Sequence, residues 1–442
     1  MSDQSPRRDP ARPAGTDRPR RPDRAPWRTS LAALVVLAVV VGGALAWSGT
    51  RGTTSPGGPA SSRPVTDDAT VEAALTGRLS ALTRAWSGRH RVAFVRAAGT
   101  SPASRAWAGR TYANLTALRV ASIDLHLVDV PAPVNGGGIA DVAVSWTPRA
   151  TSGWPPTRVD GGVVALSLAR TSDGPEITGT SRLSSHMPVW LLGRLVVTRS
   201  DDAMTVAVGS GSLARRVPRL TVQALHAVAA VVRRRLDFVA VLVPADVHQA
   251  AALLGPGSGG STSNDLGQVA AVTTTIDGST SHAAPVEVVL NPSVFGRLGA
   301  RGAQVVLSHE ATHAATGVAT LNLPLWVAEG FADYVALHSG LVPLRVAAGQ
   351  FFAYVRAHGP PQRLPTRADF NATSHGFGRT YEEAWTAMYY LGQRFGTAHV
   401  VHFYDLVRRG LSVSQAAART FGLSVKGLTT DWSRYVATAS RG

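Results

Sequence analysis

Apolar positions along this chain recur in two different spacings, and the spacing changes as the chain proceeds. Val71–Trp86, Arg91–Arg96 and Ala103–Leu118 carry apolar residues every three to four positions, which predicts helices. Shorter runs follow at Val120–Val130, Ile139–Trp146, Gly162–Arg170 and Glu176–Leu183, separated by Gly, Pro and Asp turns, and predict antiparallel strands. Helices followed by a small sheet indicate an α+β domain of about 120 residues, placed at 69–187. From Pro188 the pattern gives strands at Trp190–Thr198 and Met204–Val208, a helix at Leu220–Leu236, and strands at Val239–Val243, Val269–Ile276 and Val286–Leu290. Beyond Tyr334 only helical spacing remains, over Arg345–His358, Glu382–Phe395, Ala398–Arg408, Ser412–Phe421 and Leu428–Ala437.

The N-terminal end reads differently. Residues 1–28 are polar and Pro-rich, with eight arginines against four aspartates, and are expected to form a disordered cytoplasmic tail. Leu31–Trp47 is an uninterrupted apolar run of 17 residues. As a helix it would be about 25 Å long, just enough for a bilayer core. Positive charge before it and a neutral Gly/Ser/Thr/Pro stretch after it predict a single-pass signal-anchor at 29–48 in the cell membrane. The N-terminus would be cytoplasmic, and the remainder extracytoplasmic behind a linker at 49–68. Ala44-Leu45-Ala46 matches a small-x-small cleavage pattern, so the alternative is a signal peptide and a secreted protein. The length of the run favours the anchor, with the lipid bilayer as a partner through Leu31–Trp47.

Composition narrows the chemistry. An apolar fraction of 45% over 442 residues suits globular structure. The absence of cysteine excludes disulfide staples, thiolate metal sites and a cysteine nucleophile. A formal charge of +16 is carried almost wholly by arginine, with Lys426 the single lysine. The arginines after residue 67 are scattered and no nucleic-acid motif accompanies them, so no nucleic-acid partner is expected.

The strongest chemical signal is His309-Glu310-Ala311-Thr312-His313. On a helix, His309 and His313 lie one turn apart on one face and can grip a single metal ion. Glu310 projects beside them, where it can take a proton from an activated water. With 13 histidines and 7 glutamates in the chain, an accidental H-E-x-x-H has a probability of roughly one in two hundred. A third ligand is available in Glu329, after a short connection over Gly317–Pro324 that can turn the chain back. Asp333 sits four residues further on the same helical face, placed to accept an N–H from a ligand imidazole. Asp124, His126 and Asp129 occupy alternate positions on a strand and read as a solvated edge rather than a metal site.

His309–His313 followed by Trp326-Val327-Ala328-Glu329-Gly330-Phe331-Ala332-Asp333-Tyr334 resembles the gluzincin zinc metallopeptidases, and within them the bacterial peptidase MA-like domain, with its H-E-x-x-H and W-x-x-E-G-x-A pattern. The resemblance spans roughly Pro188 to the C-terminus and is sharpest over Val286–Leu337. It implies a two-lobed, thermolysin-like zincin domain at 188–442, with a sheet-containing lobe, a helical lobe and a substrate cleft between them. It also implies Zn2+ held by His309, His313 and Glu329, with Glu310 as general base for hydrolysis of a peptide or protein substrate. Such folds place an edge strand beside the site for peptide pairing, and Val286–Leu290 is the candidate. A Tyr or His downstream of the third ligand supplies an oxyanion donor in related enzymes. Tyr381 and then His375 are the candidates for that role. The order of elements in 69–187 is similar to the cone-shaped curved sheet of nuclear-transport-factor-like domains.

The expected function is therefore a membrane-anchored, extracytoplasmic zinc metallopeptidase. A catalytically inactive zincin-fold binding module of the cell envelope is the alternative, and a zinc hydrolase of a non-peptide amide is a third reading.

Overall fold

The structure is a computed structural model that describes residues 65–130, 137–184, 186–233, 237–255, 266, 269–340, 342–370 and 377–442. Helices α1 (Val65–Ser87), α2 (Arg91–Ala98) and α3 (Pro102–Ala117) come first. They cover a four-stranded antiparallel sheet of β1 (Val120–Asp129), β2 (Gly137–Pro148), β3 (Val159–Thr171) and β4 (Gly174–Arg182), in that spatial order. Period-two patterning builds its inner face: Ala140, Val142, Val144 and Trp146 are buried along β2, and meet Trp86, Phe94 and Trp107 of the helices. Helix α3 starts where Ser101 accepts a hydrogen bond from Ser104 N and Pro102 fits the first turn. The α+β reading of this half and its element order hold, with boundaries shifted by a few residues.

The second half opens with a mixed five-stranded sheet. Its strands are β5 (Leu195–Arg199), β6 (Ala203–Val208), β7 (Val239–Val243), β8 (Ala271–Thr275) and β9 (Val286–Leu290), in the order β5-β6-β7-β9-β8. Strands β6, β7 and β9 run parallel, while β5 and β8 are antiparallel edges. Val286–Leu290 is thus an interior strand, not the expected edge. The edge belongs to β8, because the chain returns from β8 to β9 by a hairpin-like connection and β9 then pairs with β7 as well.

Helices α4 (Ser212–Val232) and α5 (Val247–Leu254) follow β6 and β7, and α6 (Ala300–Thr316) and α7 (Leu325–Leu337) follow β9. The helical lobe is α8 (Gly349–His358), α9 (Phe377–Phe395), α10 (Thr397–Arg408), α11 (Val413–Phe421) and α12 (Val425–Ala439). Helix α4 begins eight residues before the expected Leu220, because Pro218 is accommodated inside its first two turns. The expected helix at Arg345–His358 is divided by Ala348; the restarted helix α8 is capped from outside by Glu382, whose Oε2 accepts from Phe351 N at 2.7 Å.

Both faces of this sheet are buried. On β7, Val239, Val241 and Val243 join the cluster that contains the helices of the second half, whereas Ala240 and Leu242 join the cluster of the first half. The second cluster continues through Met187 and Trp190, and buried Asn114 of α3 crosses the seam by donating to Trp190 O at 2.9 Å and accepting from Leu195 N at 3.1 Å.

The transmembrane part of the expected fold class is corrected. No helix among the described residues is long and apolar enough to cross a membrane. The two longest carry charge along their length, with Glu72, Arg78 and Arg84 in α1 and Arg215, Arg216 and Arg219 in α4. Leu31–Trp47 lies outside the described residues.

Helix α7 packs against the backbone of α9 at a glycine. A β-carbon on Gly330 would sit 2.6 Å from Ala384 O and 2.9 Å from its carbonyl carbon. Overpacking of this kind costs about 1–3 kcal/mol, against about 1 kcal/mol gained from alanine's helix preference. Gly330→Ala is therefore expected to lower unfolding free energy by up to about 2 kcal/mol in denaturant titration. A midpoint above wild type would contradict the close approach.

Candidate metal centre

Helix α6 is buried from Val305 through Thr316, an unusual setting for a segment containing Ser, Thr, His and Glu. Its hydroxyls are satisfied locally: Thr312 Oγ1 donates to Ser308 O at 2.7 Å and Thr316 Oγ1 to Thr312 O at 2.6 Å. Gly317, with φ +71, ends the helix in the left-handed conformation that glycine adopts without a side-chain clash. The chain then turns through Val318–Thr320 and re-enters as α7, which lies against α6.

This turn brings three side chains to one point. His309 and His313 stand one helical turn apart with ring centroids 4.6 Å apart, and Glu329 reaches them from α7. His309 Nε2 lies 2.9 Å from His313 Nε2 and 3.2 Å from Glu329 Oε2, and His313 Nε2 lies 3.5 Å from the same oxygen. Both histidines and Glu329 are fully or almost fully buried. His309 Nδ1 is 2.7 Å from Asp333 Oδ1, which assigns the ring hydrogen to Nδ1 and leaves Nε2 a lone pair.

The donor count then does not close without positive charge. A hydrogen on His313 Nε2 satisfies one edge of the triangle, but the His309–Glu329 edge remains acceptor facing acceptor in a buried site. Either a further proton or a metal ion is needed. Without metal, the proton is held tightly: burial disfavours the charged His309 ring, but the Asp333 and Glu329 carboxylates outweigh it and raise its pKa to about 10. Burial likewise pushes Glu329 up, yet the two imidazoles bring it below the usual carboxylate range.

Metal geometry fits the same three atoms. A tetrahedral ion about 2.0–2.1 Å from each ligand sets ligand–ligand edges of about 3.3 Å, and the observed 2.9, 3.2 and 3.5 Å bracket that value. The second oxygen of Glu329 has no protein partner. The buried group His309, His313 and Glu329 can therefore hold a metal ion.

Glu310 lies beside this group. Its Oε2 accepts from the Thr273 hydroxyl at 2.6 Å, while Oε1 has no protein partner. Burial raises its pKa, opposed by His309, His313 and the Thr273 hydrogen bond. Thr273 was not anticipated from sequence. Its signal was the position itself: in β8 it shares a face with Ala271 and Thr275, the face turned toward α6, where a hydroxyl has to find a partner. Glu382 is a second unanticipated residue, buried where Asp333's charge acts on it as well as capping α8. Burial first, and Asp333 after it, push its pKa up to about 8.

Of the residues singled out from sequence, His309, His313, Glu329, Asp333 and Glu310 form one constellation. Tyr381 is on α9, the helix packed on α7, and is buried with its ring edge-on to Phe370 at 5.2 Å. His375 lies outside the described residues. No family model and no curated protein matches this chain.

Because His309 keeps its extra proton until about pH 10, above its ordinary 6.5, metal uptake must expel that proton. Calorimetry in buffers of different ionisation enthalpy near neutral pH is expected to show about one proton released per metal bound. Apparent affinity should rise with pH through that window. In the metal-free chain the stability that this proton provides is complete below about 6.5 and lost as pH climbs through about 10. Metal uptake without proton release would contradict the assigned tautomer and charge.

Proposed function

We propose that this chain is a zinc-dependent hydrolase of peptide bonds. The observation that carries the proposal is the convergence of His309, His313 and Glu329 with the free edge of Glu310 beside them. Two imidazoles and one carboxylate are the donor set of catalytic zinc sites that keep a fourth position open. The resemblance of H-E-A-T-H and W-V-A-E-G-F-A to the peptidase MA-like gluzincins points the same way.

Zinc held there would supply a Lewis acid and a water acidified toward neutral pH. The chain's own residues supply the rest. Thr273 pins one oxygen of Glu310, so the carboxylate presents its other oxygen in a fixed direction as general base. Its raised pKa brings its basicity nearer to neutral pH, where proton transfer is most effective. Asp333 fixes the His309 ring through Nδ1. Tyr381 and His375 are the candidates for the oxyanion donor.

Glu310→Gln is expected to keep its metal and lose hydrolysis of a peptide library by about 10²–10⁴-fold, the range for removal of a general base. His313→Ala is expected to lose the metal as well. Wild-type turnover in Glu310→Gln would end the hydrolase reading and leave a binding module in its place. In the same assay Tyr381→Phe is expected to reduce kcat by about 10²-fold with KM nearly unchanged if Tyr381 is the donor. An unchanged kcat assigns that role elsewhere.

A further inference from the structure

Charge in the first half of the chain is one-sided. Between residues 65 and 119 the sequence has eight arginines against Asp67, Asp68 and Glu72. Three arginines, Arg89, Arg119 and Arg149, line a single cavity of about 390 Å³ together with Trp86, Tyr112 and Thr151, and none of its lining residues is acidic. Arg149 stands near enough to Arg89 that, with burial as the larger cause, its charge lowers the Arg89 pKa.

The backbone adds an independent observation. Arg89 and Arg119 have φ of +57 and +56, in the left-handed region that glycine and asparagine usually occupy. Each follows a helix end, α1 at Ser87 and α3 at Ala117, where the negative end of the helix dipole favours a cation. That accounts for part of the arrangement. Arg89 Nη2 donates to Val120 O at 3.1 Å and Ala121 O at 2.7 Å, and its guanidinium stacks 4.1 Å from the Trp86 ring. Arg119 Nη1 donates to Thr151 O. Helix capping does not account for Arg149. Among the described residues Arg149 makes no side-chain hydrogen bond or ion pair, and Arg89 Nε and Nη1 have no protein acceptor. Guanidinium groups that line one cavity with unused donors and no carboxylate form an incomplete arrangement, which an anion would complete.

We propose that this cavity binds a multiply charged oxyanion, a phosphate-bearing group, held by Arg89, Arg119 and Arg149. Guanidinium forks match phosphate oxygens in pairs, and the Trp86 stack together with the Val120 and Ala121 carbonyls holds Arg89 in place before the ligand arrives. This inference is independent of the metal centre. The same chemistry could come from a soluble polyphosphate or from a phospholipid headgroup.

Two probes separate those sources, each with the full-length chain: inorganic tripolyphosphate in calorimetry, and sedimentation with phosphatidylcholine vesicles with and without phosphatidic acid. Only the difference between the two vesicles is read, because Leu31–Trp47 is expected to enter either bilayer. Saturable binding to at least one probe is expected, weakened about tenfold or more in Arg149→Ala and further in Arg149→Glu. Arg149 is exposed, so both variants should fold, and near-wild-type melting checks this. Arg110→Glu changes net charge equally on an exposed part of α3 outside the cavity lining and is expected to bind as wild type. Binding to tripolyphosphate identifies a soluble ligand, and binding that depends on phosphatidic acid without binding to tripolyphosphate identifies a headgroup. Absence of saturable binding to both probes, or equal weakening in Arg110→Glu and Arg149→Glu, overturns the proposal.

Discussion

The meeting of His309 Nε2, His313 Nε2 and Glu329 Oε2 in a buried space is the constraint on which the second half of this protein turns. Such a cluster is costly unless a positive charge joins it, because acceptors taken out of water lose their hydration and face one another. The fold accepts that cost in order to bring two helices together at one point. Gly317 lets the chain reverse after α6, and Gly330 lets α7 lie directly on the backbone of α9. Phe331 stacks on Tyr404 of α10 at 3.8 Å, and Tyr404 shares a hydrogen bond of 2.8 Å with Thr316 at the end of α6. Each contact limits how far Glu329 can move from the imidazoles.

Much of this arrangement was legible in the sequence. Histidines four residues apart on a helix face, a carboxylate beside the first, and a second carboxylate pair one turn apart on the next helix are all short-range patterns, and helical periodicity fixes their directions. His309, His313, Glu310, Glu329 and Asp333 were found for that reason. Thr273 was less accessible because its role depends on which face of β8 meets α6, and that depends on strand order. That Val286–Leu290 is interior rather than an edge was hidden for the same cause: a five-residue strand with four apolar positions looks alike at the edge and in the interior of a sheet. Helix existence was read correctly through most of the chain, whereas the division before α8 comes from Glu382, which is distant in sequence and supplies the cap.

The five-stranded sheet explains how the two halves are related. Its strands alternate between two hydrophobic clusters, so Val241 belongs with the helices that carry His309, His313 and Glu329 while Leu242 belongs with Trp146 and Trp190. Burial on both faces is usual for strands in parallel arrangement, and here one face is covered by helices and the other by the first half of the chain. Thr273 and Thr274 show the division at single-residue resolution: Thr273 points to Glu310, and Thr274 pairs across the other face with Glu287. Glu287 has its pKa pushed up to about 8, by burial first and by Asp277 after it. It is therefore held neutral at physiological pH, on the side of the sheet away from the metal centre.

Charge balance around the metal centre follows the same rule. Glu310, Glu329, Asp333 and Glu382 all lie in or next to it, and among the described residues the basic groups acting on these carboxylates are the two imidazoles. A divalent ion held there by neutral histidines would be matched by two negative charges, and Glu329 within the triad and Asp333 on His309 Nδ1 are the carboxylates in contact with the His309 ring. Any further carboxylate is in excess, and burial raises its pKa. Glu382 resolves the excess by staying protonated near neutral pH while its oxygen still accepts the Phe351 N–H. Glu310 resolves it differently, with one oxygen held by Thr273 and the other left open. A carboxylate that is one negative charge too many, and is free on one side, is the member of the set most ready to take a proton.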